Sequence, residues 1–291
     1  MLVIRLIGGL EIERDGTRLE LPGSRRAQAL LAWLALHPGR HSRSRLAALF
    51  WPDVLDASAR ASLRSAVWAL RSCLGSAGAG YVSADRECVA LAGDGLVVDE
   101  REFGRLLAHG RETEAVDLCR GQLLAGFDDD WVYEAREEHE ARLAAALSVV
   151  ARRAERNGSD ADALVAIRRQ LELRPLDEAA CRSAMRLAAA GGDTAAALEL
   201  YSQTRRRLRS ELGCEPSAQT VELAARIRGA TPPGEVRERS VTRGQRPLVG
   251  RRREIDALSE QWLAARAGHG SRRARRLDRS EILQPCPWGK R

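Results

Sequence analysis

The chain has 291 residues, of which 44% are hydrophobic and 30% are charged, with a formal net charge of +7. This composition is typical of a folded protein of about two domains and excludes an intrinsically disordered chain. No apolar run approaches the roughly 18 residues of a membrane helix, and the first residues lack a secretory pattern, so we expect a cytoplasmic protein with no membrane partner. The six cysteines form no CxxC pair and the five histidines form no HExxH motif. The sequence therefore predicts no metal site and no disulfide framework.

The first 22 residues predict short β-strands. Residues 2–7 are an apolar, β-rich run, and Leu10 and Ile12 alternate with charged neighbours. The dipeptide Asp15-Gly16 is a strong hairpin signal, and apolar residues return with a period of two over residues 19–21.

Three helices are predicted next, over residues 24–36, from about Ser42 to Trp51-Pro52, and over residues 56–74. In the third helix the apolar residues recur at spacings of four, three and four, which puts them on one narrow face: Leu63, Val67, Leu70 and Leu74. Small residues and Trp68 lie on the far side, and we expect Trp68 to pack on the first of these helices or on the hairpin that follows them rather than to stack on a base. Residues 76–80 predict a loop, and residues 81–83 and 88–91 predict two strands around the turn Asp85-Arg86.

From residue 99 to about residue 228 the pattern is helical throughout. The predicted helices are 99–108, 111–124, 129–157, 160–173, 177–190, 193–212 and 217–228, separated mainly by glycines. A weak repeat places Ala163, Leu164 and Ile167 at an offset of 34 residues from Ala197, Leu198 and Tyr201. That offset is the tetratricopeptide period, with the second copy's first helix about two turns longer. An ordinary antiparallel helical bundle is the alternative.

The composition changes after residue 230. Residues 231–246 predict a linker, residues 253–267 a helix-like segment, and the arginine-rich residues 271–291 a disordered tail. The predicted domains are therefore 1–95, 96–229 and a largely disordered 230–291.

Two parts of the chain resemble known bacterial protein families. The first part resembles the DNA-binding domain of SARP-type bacterial activators, through residues 6–12 with Asp15-Gly16, 29–36 with Pro38-Gly39, 46–53 and 63–75. The second part resembles the bacterial transcriptional activator domain, through residues 99–103, 171–178, 192–201 and 208–213 with Pro216-Ser217. The resemblance implies a mainly α protein with a small β part, namely an OmpR-like winged helix-turn-helix followed by an all-α, tetratricopeptide-like domain.

Residues 247–251 resemble the segment that leads into a signal-transduction NTPase domain in larger relatives. A phosphate-binding GxxxxGK[ST] loop should follow, and the sequence contains none. Without that glycine-rich turn the backbone amides cannot surround phosphates, so we expect a truncated NTPase region, no nucleotide hydrolysis and no cofactor.

A basic helical segment supports the nucleic-acid interpretation. Residues 23–75 contain eight arginines and only two acidic residues, Asp53 and Asp56. A recognition helix needs an apolar face for anchoring and an opposite face of small or hydrogen-bonding side chains. The candidate DNA-binding residues in the third helix and the following hairpin are Ser58, Arg60, Ser62, Arg64, Arg71 and Arg86. The alternative for each arginine is a solvated side chain or an ion pair with the acidic second half.

The segment between the second and third helices has two interpretations. The resemblance implies that this loop contacts RNA polymerase, through Pro52, Asp53, Val54 and Leu55. The alternative is a simple tight turn in which Asp56 caps the next helix.

The resemblance implies a sequence-specific activator that binds promoter direct repeats in double-stranded DNA as a dimer and recruits RNA polymerase. The expected targets are promoters of a biosynthetic gene cluster. The alternative is a protein-interaction adaptor that has lost specific DNA binding. We find no pattern of catalytic residues, and residues 128–130 indicate a solvated helix N-terminus rather than a cation site.

Overall fold

A computed structural model of the chain describes residues 1–75 and 78–229. Within them the strands are β1 (Leu2–Arg5), β2 (Glu11–Arg14), β3 (Thr17–Leu19), β4 (Arg40–Ser42), β5 (Val82–Ala84), β6 (Cys88–Leu91) and β7 (Leu96–Val98). The helices of the first part are α1 (Arg25–Leu36), α2 (Arg43–Phe50), α3 (Asp56–Cys73) and the short α4 (Gly78–Tyr81). Those of the second part are α5 (Asp99–Ala108), α6 (Glu112–Leu118), α7 (Asp130–Arg156), α8 (Asp160–Leu173), α9 (Glu178–Ala190), α10 (Thr194–Arg207) and α11 (Ala218–Gly229), with a π-helical turn at Leu208–Leu212.

The chain begins with a four-stranded sheet in the order β3-β2-β1-β7. Strands β2 and β3 pair antiparallel with Arg14 opposite Thr17, so Asp15 and Gly16 form a two-residue turn. Both turn residues have positive φ, at 50° and 81°. Such a turn twists in the same sense as the strands that it joins, and glycine adopts positive φ without steric cost. The predicted hairpin is confirmed.

A three-helix unit with a small second sheet follows. The hydroxyl of Ser24 accepts a hydrogen bond from the Ala27 amide and caps α1, most of which is buried. Helix α3 packs on α1, and α2 packs on α3. The strand order β4-β6-β5 forms a sheet whose β5–β6 hairpin is the wing. This is the predicted winged helix-turn-helix with an additional N-terminal sheet.

The second part is helical, and each helix from α7 to α11 packs on the one before it. The two copies of the predicted repeat lie in α8 and α10. Their corresponding residues Ala163 and Ala197 are both fully buried, as equivalent positions should be. The prediction that the first helix of the second copy is about two turns longer is wrong for the α-helical part of that helix. Both α8 and α10 have 14 residues, and the extension is the π-helical turn.

The structure differs from the sequence expectations at several short elements. Strands β4 and β7 were not expected, since each has three residues and forms only by pairing with a distant strand, β6 or β1. Part of the expected 76–80 loop belongs to α4. Helix α6 ends at Leu118, not near residue 124, because residues 123–127 leave the helix and contact the first part.

Polar anchors join the two parts. The carboxylate of Asp99 accepts hydrogen bonds of 2.9 Å from the amides of Leu6 and Ile7. The buried Arg136 guanidinium donates to the carbonyls of Leu123, Leu124 and Phe127, and so it holds the segment of the second part that packs into the core of the first. One apolar core runs from Leu2 to Val132, and residues 1–229 lie within one compact unit. The boundary near residue 95 therefore stays a prediction.

The predicted linker, the helix-like segment at 253–267 and the NTPase lead-in all lie outside the described residues. Among the helices that the structure describes, none is long and apolar enough to cross a membrane.

Candidate nucleic-acid interface

Helix α3 has one buried and one exposed face, as its sequence period requires. The buried face consists of Ala59, Leu63, Ala66, Val67 and Leu70. Nearly all of the opposite side reaches solvent, including Ser58, Arg60, Arg64, Ser65 and Trp68. An apolar face anchors this helix to the core while the other face stays free for a partner, which is the arrangement that groove insertion needs.

Arg60 and Arg64 lie one turn apart on the exposed side of α3. Arg60 is 3.8 Å from the carboxylate of Asp56, a contact between two exposed groups that contributes little to stability. Within the described residues Arg64 forms no hydrogen bond or ion pair. The predicted alternative, an ion pair with the acidic second half, is therefore not seen for either arginine.

The wing carries Arg86 at its tip because Asp85 fixes the turn. One Asp85 carboxylate oxygen accepts hydrogen bonds of 2.8 Å from the amides of Glu87 and Cys88, and the other pairs with Arg40. The two amides and the Arg40 guanidinium lower the pKa of Asp85 to about 2. Arg86 stands exposed in this turn, with no hydrogen bond or ion pair to any described residue.

Helix α3, the start of α2 and the wing tip line one open groove. Its walls include Arg60 and Arg64 of α3, Arg43 of α2 and Arg86 of the wing, together with Asp85 and Glu87. Arg40 offsets the charge of Asp85, so the groove keeps an excess of positive charge. Such a groove attracts anions, and its field is strongest where the walls exclude water.

Sequence reasoning missed Arg43, Ser42 and Ser44, which line the same groove. Arg43 is the first residue of α2, and its guanidinium contacts the Asp85 carbonyl at 3.3 Å. The sequence does show a basic residue at the start of the second helix. That this residue lies near the wing, however, follows only from the pairing of β4 with β6.

Three of the six candidate residues do not line this groove. Arg71 donates from Nε to the Val82 carbonyl at 2.9 Å, so this half-buried side chain fastens α3 to β5. Ser62 lines a second depression, which Arg26, Trp51 and Trp68 also line. Ser58 is exposed in the first turns of α3.

The expectations for two aromatic residues are wrong. Trp68 does not pack on the wing or on α1, because 71% of its surface is exposed. Tyr81 is not part of a strand but ends α4, where it packs against the N-terminal core away from the wing tip.

The turn between α2 and α3 is an exposed, partly apolar surface. Pro52, Asp53, Val54 and Leu55 are all exposed, with Leu55 at 82% of its surface. The capping interpretation of Asp56 is wrong, since Leu55 occupies the N-cap position and Asp56 is the first helical residue. Its charge still interacts favourably with the positive end of the helix.

Within the described residues no cluster of three or more His, Cys, Asp or Glu side chains has the geometry to hold a metal ion. Five cysteines lie in this part of the chain, and all are free thiols. Burial raises the pKa of Cys119 to about 12, so its thiol stays protonated at neutral pH and is a poor nucleophile.

Comparison with known proteins agrees with this architecture. Residues 99–228 match the family model described as the bacterial transcriptional activator domain. The fold is similar to that of EmbR from Mycobacterium tuberculosis, whose structure contains a low-affinity phosphopeptide, with a TM-score of 0.62 and 22% sequence identity. The similarity covers 79% of this chain and 66% of that one, so the chain spans just under two thirds of that structure's length. A search among curated proteins finds no match.

Proposed function

We propose that the chain is a transcriptional regulator of the SARP type, which binds duplex DNA through α3 and the wing. The observation that carries the proposal is the pair Arg64 and Arg86. These two arginines, on separate elements, are exposed and unpaired within the described residues and line the same basic groove. The bacterial transcriptional activator domain matched by residues 99–228 supports the same class of protein.

The dimensions of α3 suit the major groove of DNA. With 18 residues the helix is about 27 Å long, and the groove admits one helix with its side chains. In the proposed complex Arg64 reads a guanine edge or contacts a phosphate, because arginine forms paired hydrogen bonds with either group. Ser58 and Arg60 lie on the same exposed side, and Ser62 contributes at the margin of this interface.

The wing provides the second contact in this proposal. Arg86 at the tip reaches the sugar–phosphate backbone or the minor groove next to the bound helix, and Arg43 extends the positive surface between them. Phosphate contacts position a protein on DNA without reading sequence, whereas contacts to base edges specify it. Arg71 is assigned to packing rather than to DNA, because its Nε is held by the Val82 carbonyl.

The α2–α3 turn is the proposed contact to RNA polymerase. Its apolar side chains, Val54 and Leu55, are exposed beside the groove-facing helix. Exposed apolar residues in a cluster are typical of protein–protein contacts. We propose activation by recruitment, with two copies bound to direct repeats in a promoter. A biosynthetic gene cluster is a candidate target.

A gel-shift series on promoter fragments tests DNA binding. The full chain should shift fragments with direct repeats selectively, and its affinity should fall steeply with salt because bound arginines release counterions from the phosphates. Failure to distinguish any fragment from random duplex at any salt concentration would contradict the proposal and favour a protein-interaction adaptor.

A further inference from the structure

Trp68 is a large aromatic side chain that the fold leaves in contact with solvent. It is the most exposed tryptophan in the described part of the chain, with 71% of its surface accessible. Its ring forms no aromatic or cation contact with another described residue. Tryptophan is enriched at contact surfaces because one ring buries a large apolar area. Exposure alone does not identify the partner, but the position of the residue on α3 does.

Trp68 lies on the side of α3 that points away from the core. At about 100° per residue, it is about 160° around the helix from the buried Leu70 and about 40° from Arg64. Apart from Arg64, the residues that precede it within about 60° on this side are small, namely Ala57, Ala61 and Ser65. Small side chains let a helix approach base edges closely, so in the proposed complex the Trp68 ring reaches those edges beyond them.

The depression that Trp68 lines is continuous with the basic groove. Arg64 lines both surfaces, one on each flank of α3. No acidic side chain is among the described residues that line the depression. Arg26 also lines it, but Asp129 offsets its charge at 2.9 Å, so Arg64 is the cation that is left without a described partner. An apolar ring beside an unpaired arginine suits a partner that presents both phosphates and apolar groups, as DNA does.

The distance between Trp68 and the α2–α3 turn separates the ring from the proposed polymerase contact. Leu55, the exposed end of that turn, is thirteen residues before Trp68, or about 20 Å along the helix axis. The two side chains are therefore too far apart to form one apolar patch. In the major groove, the apolar group that a ring can meet is the C5-methyl group of thymine.

We propose that Trp68 selects thymine by packing its indole ring against a C5-methyl group in the major groove. This inference rests on the proposed binding of α3 to DNA and adds a residue that determines specificity. Arg64 supplies the polar contact to a guanine or a phosphate, and Trp68 supplies the apolar contact one helical turn later. One turn rises about 5.4 Å, so the selected thymine lies about two base pairs from the position that Arg64 contacts.

Replacement of thymine by deoxyuridine tests this contact, because uracil keeps the hydrogen-bonding groups of thymine and lacks only the methyl group. The promoter duplex that the gel-shift series selects is labelled, and its thymines are replaced one at a time. The full chain should bind about fourfold more weakly when the critical thymine is replaced, since one buried methyl group is lost. Trp68→Ala should bind the all-thymine duplex at least about fivefold more weakly and should show no further loss with that deoxyuridine.

Two further variants control for folding and for the general loss of an aromatic side chain. Trp68→Phe should keep part of the preference for thymine, because phenylalanine also packs on its methyl group. Tyr133 is 55% exposed on α7, and Tyr133→Ala should bind both duplexes as the parent does. All three variants should melt as the parent does.

The outcomes separate this inference from the proposed function. Selective DNA binding that no single deoxyuridine weakens would refute the thymine contact. Trp68→Ala with the affinity of the parent would also refute it, as would a weaker Trp68→Ala that still prefers thymine at the critical position. Absence of selective DNA binding by the parent chain would instead refute the proposed function, and this inference with it.

Discussion

Arg64 offers the sharpest test of the proposed interface because it separates DNA binding from folding. The side chain is exposed on α3 and has no partner among the described residues. Arg64→Ala should therefore change the free energy of unfolding by less than about 0.5 kcal/mol, since alanine also favours the helix. A lost contact to a base or a charged contact to DNA costs about 1–3 kcal/mol, which is about five- to 150-fold in affinity.

The assay is fluorescence anisotropy with a labelled promoter duplex, measured at several salt concentrations beside thermal melting by circular dichroism. If Arg64 contacts a phosphate, the variant should release about one ion fewer on binding, so the slope of log affinity against log salt concentration should become shallower by about one. If Arg64 reads a base, the variant should instead discriminate less between DNA sequences. The matched control is Arg226→Ala, which removes the same charge from an exposed position on α11. Unchanged DNA affinity in Arg64→Ala, or early melting, would refute the assignment of α3 as the recognition helix.

Three further predictions concern the same part of the chain. Leu70 is 1% exposed, so Leu70→Ala should cost about 2–5 kcal/mol of stability in urea unfolding, and a loss below about 1 kcal/mol would show that the α3 core is wrongly placed. Leu55→Asp should leave DNA affinity and melting unchanged but reduce transcription in a reconstituted polymerase assay; full activity would argue against the polymerase contact. The pKa of Asp85 is about 2 in the fold instead of 3.8. Its stabilisation of the wing is therefore present above pH 3.8 and is lost as the pH falls towards 2. Titration of the Asp85 carboxyl group by NMR should show a midpoint near pH 2. A midpoint at or above pH 3.8 would mean that the backbone amides and Arg40 do not hold the turn as described.

Much of the fold could be predicted from local sequence patterns. The hairpin at Asp15-Gly16 follows from the backbone angles that only a few residues tolerate, and its strands have the expected register. The buried face of α3 follows from its helical period, and the lengths of α5 and α8 match their predicted ranges. These features depend on neighbours within a few residues, which the sequence displays directly.

The tertiary structure alone decided which exposed groups share a surface. Three-residue strands such as β4 have no period to detect, yet the pairing of β4 with β6 brings Arg43 beside the wing. Arg64 and Arg71 lie on one flank of the same helix, but Arg71 meets the Val82 carbonyl while Arg64 meets only solvent. A helical period determines which way a side chain faces, but what it meets depends on contacts between distant segments, which no local pattern encodes.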